Sequence, residues 1–538
     1  MNKKYFDINE KITLNDLNES RNNNRLSLRK KNFDKIMHNK RKLIYEIEML
    51  FPQDTLKESS NNLPNNNLLK ILSNEQIYII FNQMKGKLIL DNLTELFQCL
   101  FSLDYNIDQY LSETIAFINN NKIYIFLVDL LEQLVNSNNI NNSSQLIYKI
   151  LQIIFKLSSN IDSNKMFKEY INDKISIFNK IFTNIENKKI VQNKTGILLY
   201  SANILYNLSL ESNNFINNLY ENKIQEKMIS IILNSKNHNL NLNEKNIFYI
   251  INFFSLDLLD KNFKNFNENY IQNIFNLLNE KGITSSSSRV QELSLDCLCN
   301  ITFYFKSEKF YKNIMYSGIF NNIFKFIKKS QNLNSINVSL KIVNNILTEK
   351  NIDLNYFIKT DLLLGLMQLI INYETNKSNI TPDLLHHIIC IFLYLVKSPL
   401  FYSLIDKNRI FMNNIIYLIG KISNVVTHDI LTFIKNVISE SYKISQLLIL
   451  NNLDLMSNLI CLVRDECHND KIRIMALIIL GKIIGYNHEN MNDEENNIII
   501  NYENQLKEII ELNLLNKENI NETLKKTFII ILNMINDE

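Results

Sequence analysis

The chain has 538 residues, 46% of them apolar, yet only 8 Gly and 4 Pro, and its formal net charge is +3. Strands, hairpins and tight turns draw on Gly and Pro while helices avoid both, so the composition excludes a turn-rich β-protein and predicts an all-α chain with ample core. The small net charge hides an uneven distribution along the chain.

Residues 1–20 read as unstructured. Between Arg21 and Lys42 lie nine basic residues and one acid, Asp34, so this segment carries +8 and the remaining residues −5. A basic arm joined to a mildly acidic body should be drawn to it. At helical spacing Phe33, Ile36, Met37, Lys40, Leu43 and Ile44 form one stripe, with Arg29, Lys30, Lys31, Lys35, Arg41 and Lys42 around it. Residues 51–69, which include PQDTLKESSNNLPNNNL and two of the four prolines, read as a flexible linker.

From residue 70 to 538 one strongly apolar helix recurs. It is seen in SANILYNLSL, FYIINFFSL, LDCLCNITFY, LKIVNNILTE and LTFIKNVISE, which align on Asn207, Asn252, Asn300, Asn345 and Asn436. The steps are 45, 48, 45 and 91 residues, the last being a double step with IFLYLVKSP near Tyr394 in the gap. Lys482 and Asn533 extend the series downstream, and Lys156 and Phe101 extend it upstream, giving about ten units. A period of about 45 residues is that of helical solenoids of the armadillo and HEAT kind, whose units bury their faces only by stacking. In IMYSGIFNNIFKFIKK a Gly, Gly318, stands before the second helix, where it permits a sharp turn. Asn abounds in the polar stretches, and this reads as compositional bias rather than function.

The sequence carries none of the common catalytic and metal signatures. There is no G-x-x-x-x-G-K-[ST], G-x-S-x-G or H-E-x-x-H. The Cys297/Cys299 and Cys461/Cys467 pairs have no zinc-type partners in sequence, and the adjacent His386 and His387 cannot both face one metal from a helix. The reading is a protein without cofactor, metal or small-molecule substrate. The opening MNKKYFDINEK lacks the apolar core of a signal peptide, and no apolar run reaches membrane length, so a soluble intracellular protein without a transmembrane segment is expected.

A basic arm, a linker and about ten armadillo-like repeats resemble the importin-α (karyopherin-α) family. The family's arm motif has the form L-R-K-x-K-R-x-E-x-x-L-K-R-R. Here Leu28, Arg29 and Lys30 match its opening, Asp34 its acidic patch, Met37 an apolar position, and Lys40 and Arg41 the closing basic pair. The resemblance implies a right-handed superhelical solenoid and a nuclear import adaptor shared between cytoplasm and nucleus. It assigns importin-β binding to Arg25, Leu28, Arg29, Lys30, Lys31, Lys40, Arg41 and Lys42. It assigns cargo bearing a nuclear-localisation signal to the third helices, where the family places a Trp four residues before an Asn. The Asn positions are Asn207, Asn252, Asn300, Asn345 and Asn436. The Trp positions hold Asn203, Phe248, Asp296, Lys341 and Thr432, since the chain has no Trp, and only Phe248 could stack on a lysine stem. The arm could also fold back into the groove, with KRK at 40–42 mimicking cargo. Two other readings stay open. One is an armadillo/HEAT scaffold whose basic arm docks on a membrane, nucleic acid or another protein complex, and the other is a HEAT-like regulatory subunit of an enzyme complex.

Overall fold

The computed structural model describes residues 74–86, 117, 120–137, 140, 143–159, 165–209, 213–240, 242–259, 267–349, 352–373, 381–440, 453–465, 469–490, 493–516 and 521–536. Every residue of the predicted basic arm and linker lies outside that set. Among the described residues all regular structure is helical. They group into two compact units, one ending at Ile224 and the other beginning at Gln225.

In the first unit α1 (Asn74–Gly86), α2 (Ile123–Asn136) and α3 (Ser144–Ser159) precede a three-helix repeat of α4 (Lys165–Asp173), α5 (Ser176–Glu186) and α6 (Lys194–Ser209), followed by α7 (Asn213–Glu221). Each class of helix bonds to its own kind one repeat away. Among first helices Asn218 donates to Asn172 Oδ1 at 2.8 Å, and among second helices Asn184 donates to the Val135 carbonyl at 3.2 Å. Between third helices Gln152 donates to the Tyr200 hydroxyl at 3.2 Å. Twelve of the sixteen residues of α6 are buried, because this helix packs on α3, α5 and α7. A helix apolar on all sides belongs in the middle of such a stack.

The second unit continues the pattern. α8 (Ile224–Leu233) starts at the junction, and α9 (Glu244–Leu259), α10 (Glu268–Leu277) and α11 (Ser288–Tyr304) follow. Three complete repeats come next. They are α12 (Glu308–Met315), α13 (Ile319–Lys329) and α14 (Leu333–Leu347); α15 (Leu354–Ile358), α16 (Asp361–Ile371) and α17 (Pro382–Leu395); and α18 (Pro399–Lys407), α19 (Arg409–Tyr417) and α20 (Asn424–Glu440). The series closes with α21 (Leu453–Arg464), α22 (Asp470–Asn490), α23 (Asp493–Asn516) and α24 (Glu522–Asn536). Third helices α9, α11, α14, α17, α20, α22 and α24 each pack on the next, and second helices α13, α16, α19, α21 and α23 do the same. A short first helix, a second helix and a long third helix, stacked class upon class, make an armadillo-like repeat solenoid.

Local signals fix the helix ends. Asn332 caps α14 by accepting from the Asn334 and Ser335 amides, and Thr381 caps α17 with Pro382 at the first helical position. Gly318 has φ 77° and open space where a Cβ would project, so its backbone conformation rather than crowding calls for Gly. Lys122 and Lys223 stand in the same left-handed conformation immediately before α2 and α8. The turn that Gly318 announces is therefore built elsewhere from Lys, where sequence gives no sign of it. The abundant Asn also has a structural share: Asn322 donates to Asn279 Oδ1 at 2.9 Å, and Asn279 donates to the Ser317 carbonyl at 3.0 Å.

Candidate functional site

The third helices of the second unit carry all the predicted cargo positions except Asn207, which lies on α6 of the first unit. Because α11, α14, α17 and α20 lie side by side, residues about 45 apart become neighbours across helices. Lateral bonds join residues 43 apart at Thr302–Asn345, Asn344–His387 and His386–Asp429. Counted from the helix starts, Asn300, Asn345, Tyr394 and Asn436 are each the thirteenth residue of α11, α14, α17 and α20, and Asp296, Lys341, Cys390 and Thr432 each the ninth. The predicted anchor at Tyr394 thus holds the Asn place on α17, as the penultimate residue of that helix. Cys390 stands one turn earlier, level with Asp296, Lys341 and Thr432.

The five Asn positions fall into two groups. Asn207, in the first unit, is 8% exposed and donates to Ser158 Oγ at 3.1 Å. Asn345 turns toward α11, donating to Thr302 Oγ1 at 3.3 Å and to the Cys299 carbonyl at 3.4 Å. Both spend their amide N–H groups inside the stack. Asn252, Asn300 and Asn436 are half-buried, and their side-chain amides make no hydrogen bond among the described residues. A half-buried amide retains two donors and an acceptor carbonyl, the set that pairs with an extended peptide backbone.

The positions four residues earlier differ more from one another. Asn203 is buried and its amide nitrogen has no hydrogen-bond partner among the described residues. Phe248 on α9 is already covered: the Arg289 guanidinium of α11 stands 4.9 Å from its ring centroid. Thr432 turns back to donate to the His428 carbonyl at 2.8 Å. Lys341 is close enough to act on both neighbouring helices. Burial pushes the Cys299 thiol up to about 12 against the opposing pull of Lys341, whereas burial, His386 and Lys341 together lower His387 to about 3. The described ridge thus alternates amides and charges and has no row of open aromatic clamps.

The sequence reading missed one cluster. His386 and Cys390 lie one turn apart on α17, and Asp429 reaches them from α20. His386 Nδ1 donates to Asp429 Oδ2 at 2.5 Å, and Cys390 Sγ lies 3.8 Å from both ring nitrogens. His387 stays out of the cluster, and its carbonyl accepts from Asn344 at 3.2 Å. The signal available in sequence was the H-x-x-x-C spacing, which places both side chains on one helical face. The third member, 43 residues later, becomes visible only once the repeats are stacked.

No protein-family model matches the chain, and no curated protein matches it. Among solved structures, the chain is similar to an engineered protein at 12% identity and a TM-score of 0.49, over 86% of this chain and 99% of the other. It is also similar to a designed armadillo repeat protein at 15% identity and a TM-score of 0.37, over 49% of this chain and 100% of the other. A designed armadillo repeat protein in complex with the peptide (KR)4 matches at 15% identity and a TM-score of 0.38, over 49% of this chain and 99% of the other. Scores this low leave the repeat assignment to the chain's own geometry, namely the helix order and the lateral bonds between helices of one class. None of the described helices is long and apolar enough to cross a membrane.

Proposed function

We propose that this chain is a non-enzymatic adaptor of nuclear import, binding basic cargo peptides along the third-helix ridge of its second unit and importin-β through its basic arm. The observation that carries the cargo half is the set of Asn252, Asn300 and Asn436, whose half-buried amides have no hydrogen bond among the described residues. Successive amides can hold a peptide extended by its backbone, which favours binding with little dependence on cargo side chains. Asp296 adds local attraction for a basic residue, while Lys341 sets a place where a basic residue is disfavoured. The arm half rests on Leu28, Arg29, Lys30, Lys40 and Arg41 in the family spacing, together with the repeat array behind them.

Titration of a fluorescent Lys/Arg-rich peptide with full-length protein tests the cargo half. Each amide contact contributes about 1 kcal/mol, so the triple change of Asn252, Asn300 and Asn436 to Ala should weaken binding on the order of 100-fold. Unchanged affinity would remove the cargo reading. Changing Arg29, Lys30, Lys40 and Arg41 to Ala in the full chain should abolish capture by importin-β. Binding to anionic vesicles or RNA, with no importin-β capture by the parent protein, would point instead to a scaffold docked by its arm.

A further inference from the structure

We propose that His386, Cys390 and Asp429 bind one divalent metal ion of the zinc class, bridging α17 and α20 and leaving a fourth coordination position open. The three donor atoms lie within 4.8 Å of one another, and the side chains are already turned together. Tetrahedral zinc, with bonds of 2.0–2.3 Å, sets its donor atoms about 3.2–3.7 Å apart. Here the histidine nitrogen and carboxylate oxygen are 2.5 Å apart, and the sulfur is 3.8 Å from the nitrogen. Small side-chain adjustments therefore suffice to admit the ion.

The donor set selects the ion. An imidazole nitrogen, a thiolate and a carboxylate suit a borderline-soft cation and disfavour magnesium or calcium, which take oxygen ligands. Thiolate and carboxylate together supply two negative charges against a dication, so the occupied site is neutral overall and suits a buried setting. On binding, the Cys390 thiol proton leaves to solvent, and the proton on the ligating nitrogen of His386 moves to the other ring nitrogen or, from an imidazolium, to solvent, so that the ring is neutral in the occupied site and no oxidation state changes. Three protein ligands are the number used by zinc sites that keep an open position. The His386 side chain is 23% exposed and that of Asp429 11%, so solvent or a donor atom from a bound partner can reach the ion.

A nucleophilic Cys-His-Asp triad fits the geometry less well. Such a triad needs one ring nitrogen aimed at the sulfur and the other at the carboxylate. Here Sγ is equidistant from both nitrogens, and Asp429 takes Nδ1.

The test uses the full chain, freed of metal with a chelator and titrated with Co2+. One equivalent should produce the visible bands of a tetrahedral centre and a near-ultraviolet thiolate-to-metal charge-transfer band, both erased by Zn2+. Cys390→Ser should lose the charge-transfer band. Asp429→Asn should weaken Zn2+ binding beyond the roughly 10–100-fold that changes outside the ligand set cost. A charge-transfer band retained in the Cys390→Ser variant, or only the weak bands of an octahedral ion, would overturn the proposal. Far-UV circular dichroism reports whether each variant folds. Should Cys390→Ser unfold, the near-isosteric Asp429→Asn decides alone, since wild-type Zn2+ affinity in that variant contradicts the site.

Discussion

Arg289 of α11 covers the ring of Phe248 of α9, its guanidinium carbon 4.9 Å from the ring centroid. Phe248 is the one aromatic residue among the five positions that would face cargo, so its ring is already engaged by a cation of the chain itself. A half-exposed cation–π pair of this kind contributes about 0.5–1 kcal/mol. Arg289→Ala should then raise affinity for a Lys-rich peptide about twofold to fivefold, and Phe248→Ala in the same background should erase that gain. Fluorescence titration separates the outcomes, because a peptide that avoids Phe248 will show no gain in either variant.

Gly318 links α12 to α13 in the left-handed region, with no heavy atom near the site of a Cβ. Gly318→Ala therefore perturbs the backbone alone. The expected loss is about 1 kcal/mol, read as a lower urea midpoint with an unchanged slope. The reverse change, Lys122→Gly, relieves a strained left-handed Lys and should be stabilising or neutral.

Thiol reactivity should divide by position. Burial raises the thiols of Cys297 and Cys299, which keeps them as unreactive SH groups near neutral pH. Cys461 is exposed on α21. Brief alkylation of the native protein followed by peptide mass mapping should find Cys461 modified, Cys297 protected until denaturant is added, and the half-buried Cys299 slowed by its raised thiol pKa. Equal labelling of all three in the native state would contradict the packing of α11 against α14.

Tyr170 on α4 donates to Asp129 on α2, and burial followed by that bond and the nearby acids raises its pKa from 10.0 to about 12. The raised folded value contributes stability that is complete below pH 10.0 and is lost as pH climbs through about 12. The stability advantage of wild type over Tyr170→Phe should stay flat below pH 10.0 and shrink as pH rises toward about 12. Urea midpoints measured across that range check it, and a constant difference would rule out the linkage.

Arg473 is 4% exposed and holds three elements together. Its Nε donates to the Val463 carbonyl of α21 at 3.1 Å, one Nη donates to Asn513 of α23 at 2.9 Å, and the guanidinium lies 5.7 Å from the Phe528 ring of α24. Arg473→Met keeps the bulk but strands both acceptors, so it should cost about 2 kcal/mol in chemical denaturation.

Much of this architecture is legible in the chain because helical periodicity and a period of about 45 residues are local or repetitive signals. Gly318 is correctly read as a turn residue, but Lys122 and Lys223 adopt the same conformation without announcing it. The Asn series shows where third helices fall. It does not show that Asn207 and Asn345 spend their amide N–H groups within the stack while Asn252, Asn300 and Asn436 do not. That difference depends on what the neighbouring helix presents, here Ser158 for Asn207 and Thr302 for Asn345.

The sequence by itself determined an all-α repeat chain, because low Gly and Pro content and apolar periodicity act through local backbone preference and one-sided burial. It also determined that basic charge is concentrated near the N-terminus, since charge is additive along the chain. Only the tertiary structure decided that Asn345 spends its amide on Thr302, that Phe248 is covered by Arg289, and that Asp429 meets His386 and Cys390. Each of these depends on lateral register between stacked helices, set by packing across 41–43 residues rather than by any local propensity.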